Sequence, residues 1–394
     1  MIYRNFKDNK LSLLGFGAMR LPLNTDGSVD EATTKKMVEL SIEKGVNFFD
    51  TAYPYHSGES ERIMGEILEK YPRDSYYLAT KYPGHQITKP NDPNYDPKAV
   101  FEEQLKKCKV DYFDFYLMHN VYENSIQEYT DPDWGIMDYF IEQKRLGKIK
   151  YLGFSTHGGN EVVEQFLDLY GEHLDFCQIQ LNYLDWTLQD AKSKYEMLTQ
   201  RGIPVWVMEP VRGGKLAKLD EDSEKTLKGF RPDASIASWS FRFLQQLPNV
   251  TMILSGMSDI AQVEDNLNTF ENENPLSEAE EKTLLDIAEK MKDSIPCTSC
   301  RYCTDSCPAG LDIPFLLNVF NEVRVVPSVN SYMRLDVLGP DKQSSACIKC
   351  GKCVKMCPQG IDIPGLMEQF TETLAKLPSW ESICHQRDES QIKA

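Results

Sequence analysis

Residues 46–61 read Val-Asn-Phe-Phe-Asp-Thr-Ala-Tyr-Pro-Tyr-His-Ser-Gly-Glu-Ser-Glu. Val46 to Phe49 is a short apolar run of the kind that forms a buried strand. It stops at Asp50, a charge that is costly to bury without a partner. Pro54 and Gly58 then break the chain into a loop carrying Tyr55, and Glu59 to Lys70 has helical spacing. The same succession of strand, polar residue, loop and helix recurs twice. Tyr76 to Thr80 runs into Lys81, and Phe113 to Met118 runs into His119. In a barrel of parallel strands all C-terminal ends face one mouth, where three such residues and the loop tyrosine meet.

Working outward, the alternation continues along the chain. Ile2 to Leu11 reads as a hairpin turning at Asp8-Asn9-Lys10, a plug for the barrel bottom, and Leu13 to Arg20 as the first strand. Gly15-x-Gly17 opens no helix and is not read as a phosphate loop. Glu31 to Lys44 is a helix stopped by Gly45. Further strands are expected at 149–155, 176–181, 205–208 and 252–254, with helices at 134–146, 161–170, 188–200, 234–246 and 260–270. Eight strand–helix units predict a closed (β/α)8 TIM barrel. A doubly wound parallel sheet is the alternative, but no Gly-x-Gly-x-x-Gly opens a helix here. The irregular stretches 82–96 and 120–133 follow Lys81 and His119, so they border the pocket and shape specificity.

The four polar residues complement one another chemically. A cation such as Lys81 beside the Tyr55 phenol favours phenolate, which suits a general acid; Asp50 keeps the lysine charged and oriented; His119 donates to a substrate oxygen. Taken singly, an Asp after a strand is often a helix N-cap and a histidine often structural. Together the set, Phe-Asp-Thr-Ala-x-x-Tyr at 49–55, Thr-Lys at 80–81 and Met-His at 118–119, resembles the aldo-keto reductases. The resemblance implies a catalytic tetrad of Asp50, Tyr55, Lys81 and His119, a small-molecule carbonyl substrate, and a nicotinamide as hydride donor. It also implies cofactor contacts. Ser155 and Gln178 match residues that hold the nicotinamide amide, and Ser255, Gly256, Met257, Asp265 and Asn266 match the adenine side. Arg212, Gly213 and Gly214 follow the seventh strand, where flexible glycines let backbone amides approach a pyrophosphate. Thr156 stands where Asn is common, and Met208 where a stacking Tyr is common. Gly256 and Gln262 replace the basic residues of phosphate-specific members, which leaves NADH and NADPH both open.

The chain has 394 residues, more than one barrel needs, and 41% hydrophobic residues, ample for a core. A net charge of −17 argues against nucleic acid and anionic membranes as partners. The N-terminus lacks a signal-peptide core and no long apolar run occurs, so a soluble, cytoplasmic protein is expected.

Eight of the 11 cysteines lie between residues 297 and 357, in a repeat of period 50. Cys297, Cys300, Cys303 and Cys307-Pro308 are echoed by Cys347, Cys350, Cys353 and Cys357-Pro358. Each set leads into Gly-Leu/Ile-Asp-Ile-Pro and an apolar helical run. The C-x2-C-x2-C-x3-C-P spacing indicates two [4Fe–4S] clusters, the fourth cysteine of each motif ligating the other cluster. One cluster is thus assigned Cys297, Cys300, Cys303 and Cys357, the other Cys347, Cys350, Cys353 and Cys307. Zinc held by four cysteines is the alternative. The region resembles helical two-cluster ferredoxins, giving a barrel over 1–295 and a cluster domain with a polar tail over 296–394. A helix opened by the capping box Ser277-x-x-Glu280 links them. The leading expectation is an NAD(P)H-dependent carbonyl reductase. A second is an electron-transfer module with a redox partner protein, in which the barrel serves as a docking or cofactor scaffold. A third makes the clusters purely structural or redox-sensing.

Overall fold

The computed structural model describes residues 1–378 apart from 88–91, 293–294, 296, 298–300, 326 and 358. Two strands, β1 (Tyr3–Phe6) and β2 (Asn9–Ser12), form an antiparallel hairpin. Its turn sits at Lys7-Asp8, one residue shorter than the expected Asp8-Asn9-Lys10 and shifted toward the N-terminus, with Lys7 at φ +50°. Eight parallel strands follow: β3 (Leu14–Gly17), β4 (Phe48–Asp50), β5 (Tyr77–Tyr82), β6 (Phe113–Met118), β7 (Ile149–Thr156), β8 (Phe176–Gln180), β9 (Val205–Met208) and β10 (Val250–Gly256). They close into a barrel in sequence order, β10 pairing with β3 through Ile253–Leu14 to Gly256–Gly17.

An aromatic layer fills one end of the barrel. Phe6 and Leu11 of the hairpin pack on Phe48, Phe115, Phe176, Trp206 and Met252. The Phe176 and Trp206 rings stack at 3.9 Å. Large buried rings dominate such packing because each removes roughly 150–250 Å² from water. The hairpin is therefore a plug, and polar chemistry is left to the opposite, C-terminal mouth. Gly15 belongs to the same packing. A Cβ there would lie 2.7 Å from Leu254 and Met252 side-chain atoms, so a larger residue would have to displace them.

The helices depart from expectation in three places, the first a short helix at Ile126–Thr130 inside a stretch expected to be irregular. The run 188–200 is not one helix. It breaks into Asp185–Leu188 and Ala191–Gln200 around Asp190 at φ +51°. The buried Asp185 carboxylate accepts bonds from the Gln180 and Asn182 side chains, which sets the first turn apart. A helix at Glu221–Phe230, unassigned from sequence, is N-capped by Asp220 accepting from the Ser223 amide. The capping box forms as expected: Ser277 N–H donates to Glu280 at 2.8 Å and Glu280 N–H to Ser277 Oγ at 3.3 Å.

The chain divides into two compact units, one reaching Asp286 and one starting at Ile287. The second is helical, with no strand among its described residues. Its repeat is visible in the backbone. Tyr302–Asp305 corresponds to Lys352–Met356, and Ile313–Val325 to Ile363–Leu374. Gly310 and Gly360 both take positive φ, +60° and +65°. Phe320 and Phe370, equivalent in the repeat, stack at 4.7 Å in the centre of the unit.

Candidate active site and cluster site

Asp50 closes β4, Lys81 is the penultimate residue of β5, and His119 follows β6, so all three emerge at the same mouth. Tyr55 reaches them from the 3-10 turn Tyr55–Gly58, where His56 and Ser57 take positive φ. The Lys81 ammonium is fully buried and donates to Asp50 Oδ1 at 2.7 Å, to Thr51 O at 2.8 Å and to the Tyr55 hydroxyl at 3.2 Å. The His119 ring lies edge-on to the Tyr55 ring at 5.8 Å. Burial alone would lower the Lys81 pKa, but the Asp50 carboxylate and the Tyr55 phenol beside it outweigh that and raise it. The lysine, its charged form favoured by these neighbours, thus points its remaining donor at a phenol that is only half-buried.

Two features of the surroundings went unread in the sequence. The Tyr129 hydroxyl donates to His119 O at 2.7 Å and to Tyr82 O at 3.2 Å, tying the ends of β5 and β6 together under the site. Behind Lys81 lies Glu61, wholly buried, accepting from Thr80 Oγ1 at 2.5 Å and Gln104 Nε2 at 2.7 Å. Gln104 also donates to Lys81 O at 3.0 Å. Burial pushes the Glu61 carboxyl up to about 7, opposed by the bonds from Thr80 and Gln104. These partners are 19 to 43 residues away in sequence, so no local pattern announces them.

The residues matched to a nicotinamide nucleotide surround the other side of the mouth. Gln178 is buried with its Oε1 lacking any hydrogen-bond partner, an acceptor suited to a carboxamide N–H. Ser155 Oγ accepts from the Asn120 amide at 2.9 Å. Arg212 does not face the mouth as a free cation: its guanidinium is buried against Asp185 at 3.0 Å. Gly213 and Gly214 beside it have positive φ, +64° and +95°, and present backbone. Met257 is buried, Asn266 donates to Ser255 Oγ at 2.9 Å, and Asp265 accepts from Ser235 Oγ at 2.7 Å. Arg20, which sequence reading passed over, spans the gap between these loops. Its side chain lies 3.1 Å from where a Gly213 Cβ would stand and 3.2 Å from a Gly256 Cβ. The orphaned Gln178 oxygen, the backbone at Gly213 and Gly214, and Arg20 fit an anionic dinucleotide with a carboxamide head.

In the second unit Cys307, Cys347, Cys350 and Cys353 line one small cavity, with Leu311, Ile313, Ile363 and Met367 as apolar walls. Three thiols of one motif and the fourth of the other thus border the same cavity, matching in residue type the four-thiolate donor set of a cubane cluster. Of the other set, Cys297, Cys303 and Cys357 pack against the same hydrophobic core, while Cys300 lies outside the described residues. Among the described residues no helix is long and apolar enough to cross a membrane.

The chain matches the pattern of the aldo/keto reductase family over residues 13–289 and that of a 4Fe-4S dicluster domain over 296–361. It is 27% identical over 305 residues to the uncharacterized oxidoreductase YqkF of Bacillus subtilis, spanning 70% of this chain and 92% of that protein. The NADH-specific methylglyoxal reductase of Escherichia coli is 27% identical over 224 residues, 53% of this chain and 66% of that protein. Among solved structures, the holo form of aldo-keto reductase AKR11C1 from Bacillus halodurans superposes with a TM-score of 0.59 at 25% identity, covering 73% of this chain and 96% of that one.

Proposed function

The chain belongs to the aldo/keto reductase family, and we propose that it reduces an aldehyde or ketone with Tyr55 as the proton donor. The observation that carries this reading is the bond from the buried Lys81 ammonium to the Tyr55 hydroxyl at 3.2 Å, with Asp50 fixing the same ammonium at 2.7 Å. A bound NADH or NADPH supplies two electrons to the carbonyl carbon as hydride. The protein's share is the proton and the orientation. Lys81 stabilises the phenolate that Tyr55 becomes once its proton has passed to the carbonyl oxygen. Asp50 holds Lys81 charged, and His119 offers the same oxygen a hydrogen bond. A positioned general acid of this kind accelerates reduction by roughly 100- to 10,000-fold.

Gln178 and Ser155 would take the carboxamide, and the backbone at Gly213 and Gly214 with Arg20 the pyrophosphate. Arg212 serves by anchoring that loop on Asp185. Ser255, Gly256, Asp265 and Asn266 lie on the adenine side. A backbone glycine at 256 in place of a cation makes NADH the better fit, in line with the coenzyme of the methylglyoxal-reducing relative. In the cluster domain, taken as 296–394, the two [4Fe–4S] centres are held by Cys347, Cys350, Cys353 and Cys307 and by Cys297, Cys300, Cys303 and Cys357. The test is Tyr55→Phe in protein purified without oxygen. Carbonyl-dependent oxidation of the nicotinamide must fall by about 100-fold or more, with iron content unchanged; unaltered turnover overturns the assignment.

A further inference from the structure

The period-50 repeat supplies an internal comparison. Both motifs share cysteine spacing, matched positive-φ glycines and stacked Phe320 and Phe370. Between and beside the cysteines they diverge in one direction. Where the first has Thr298, Ser299, Tyr302, Asp305 and Ser306, the second has Ile348, Lys349, Lys352, Lys355 and Met356. Residues 342–361 contain four lysines and no acid, whereas the matching window 292–311 holds two charges of each sign, in a chain of net charge −17.

All five of these second-motif side chains are exposed, and three of them share one helix face. The short helix Lys352–Met356 turns Cys353 inward. Lys352, Lys355 and Met356, spaced i, i+3 and i+4, share its exposed side. Ile348 is 66% exposed and Met356 48%, large values for apolar side chains. Ile348 and Lys349 also rim the cavity that Cys307, Cys347, Cys350 and Cys353 line, and Cys350 is itself exposed. Lys349 is paired with Glu368 and Lys342 donates to Ala309 O, so Lys352 and Lys355 set the outward charge.

We propose that this face docks an acidic one-electron carrier protein, which exchanges its electron with the centre held by Cys307, Cys347, Cys350 and Cys353. The proposal rests on the reading of those cysteines as cluster ligands. Exposed apolar side chains mixed with charged ones are the composition of transient protein interfaces. Local charge opposite to that of the whole chain orients an acidic partner here and repels it elsewhere. Carrier and centre differ by one electron before and after; no bond forms and no proton moves. The first motif lacks this face, so electrons enter or leave at the second.

The test uses the full chain with both clusters loaded, verified by iron content and visible absorption. An acidic plant-type [2Fe–2S] ferredoxin is the probe, and cationic cytochrome c the control. Ferredoxin binding should weaken steeply with salt. It should drop by about tenfold or more in Lys352→Glu/Lys355→Glu and in Ile348→Ser/Met356→Ser, while cytochrome c loses no affinity in either variant. Ferredoxin binding that ignores both double substitutions overturns the proposal, as does equal, variant-sensitive binding to phosphatidylserine vesicles. Loss of iron from the unsubstituted protein's second motif would instead overturn the ligand assignment beneath it.

Discussion

Replacing Lys81 by Met separates the two duties of that residue. Lys81 has no exposed surface and the Asp50 side chain is 5% exposed, so the variant leaves a buried carboxylate without its cation. Removing one partner of such a pair costs about 3–5 kcal/mol, a large share of the roughly 5–15 kcal/mol that holds a domain together. The bond to Thr51 O is lost as well. Asp50→Asn combined with Lys81→Met removes the orphaned charge and should recover much of the loss. Activity should not follow, because the donor to Tyr55 is absent in both. Urea unfolding of the barrel, read by its buried Trp206 and Trp239, gives stability, and nicotinamide oxidation with an aldehyde gives activity. A Lys81→Met protein with the original urea midpoint would refute the ion-pair argument. Restored turnover in the double variant would refute the catalytic one.

Glu61 gives a pH signature. Its folded-state pKa of about 7 lies above the ordinary 4.5, so the folded chain holds this proton more tightly than the unfolded chain. Stability from it is present below pH 4.5 and is lost as pH rises through 7, by about 3 kcal/mol. Glu61→Gln should abolish that decline, seen as the difference between the two urea-stability profiles across pH 4.5 to 8; parallel profiles would contradict it. For the clusters, Cys307→Ser should roughly halve the iron. Adding Cys350→Ser should then remove no more, whereas adding Cys303→Ser should remove the rest; the reverse pattern would mean each motif keeps its own fourth cysteine.

The barrel was legible because β4, β5 and β6 are apolar runs punctuated by a polar residue at the same end, and because strand and helix alternate eight times. Element edges were less so. The break at Asp190 has its cause in Asp185 meeting Gln180 and Asn182, contacts set by folding rather than by local sequence. Glu61, Tyr129 and Arg20 escaped notice for the same reason, their partners lying far along the chain. Arg212 was visible as a cation in a glycine loop, but only the fold reveals that Asp185 claims its charge. The cysteine repeat was legible at once, since ligand type and spacing are the chemistry itself. The outward lysines of its second half acquire meaning only when the two halves are laid on one backbone.

The central claim is hydride delivery to a carbonyl under proton donation from Tyr55. It is tested most directly with nicotinamide deuterated at its reactive carbon, mixed anaerobically with the protein and an aldehyde for a single turnover. Deuterium on the carbinol carbon of the product, appearing about 100-fold or more slowly when Tyr55 is Phe, is the predicted result. Nicotinamide oxidation that bleaches the clusters and leaves no deuterated alcohol would contradict the account.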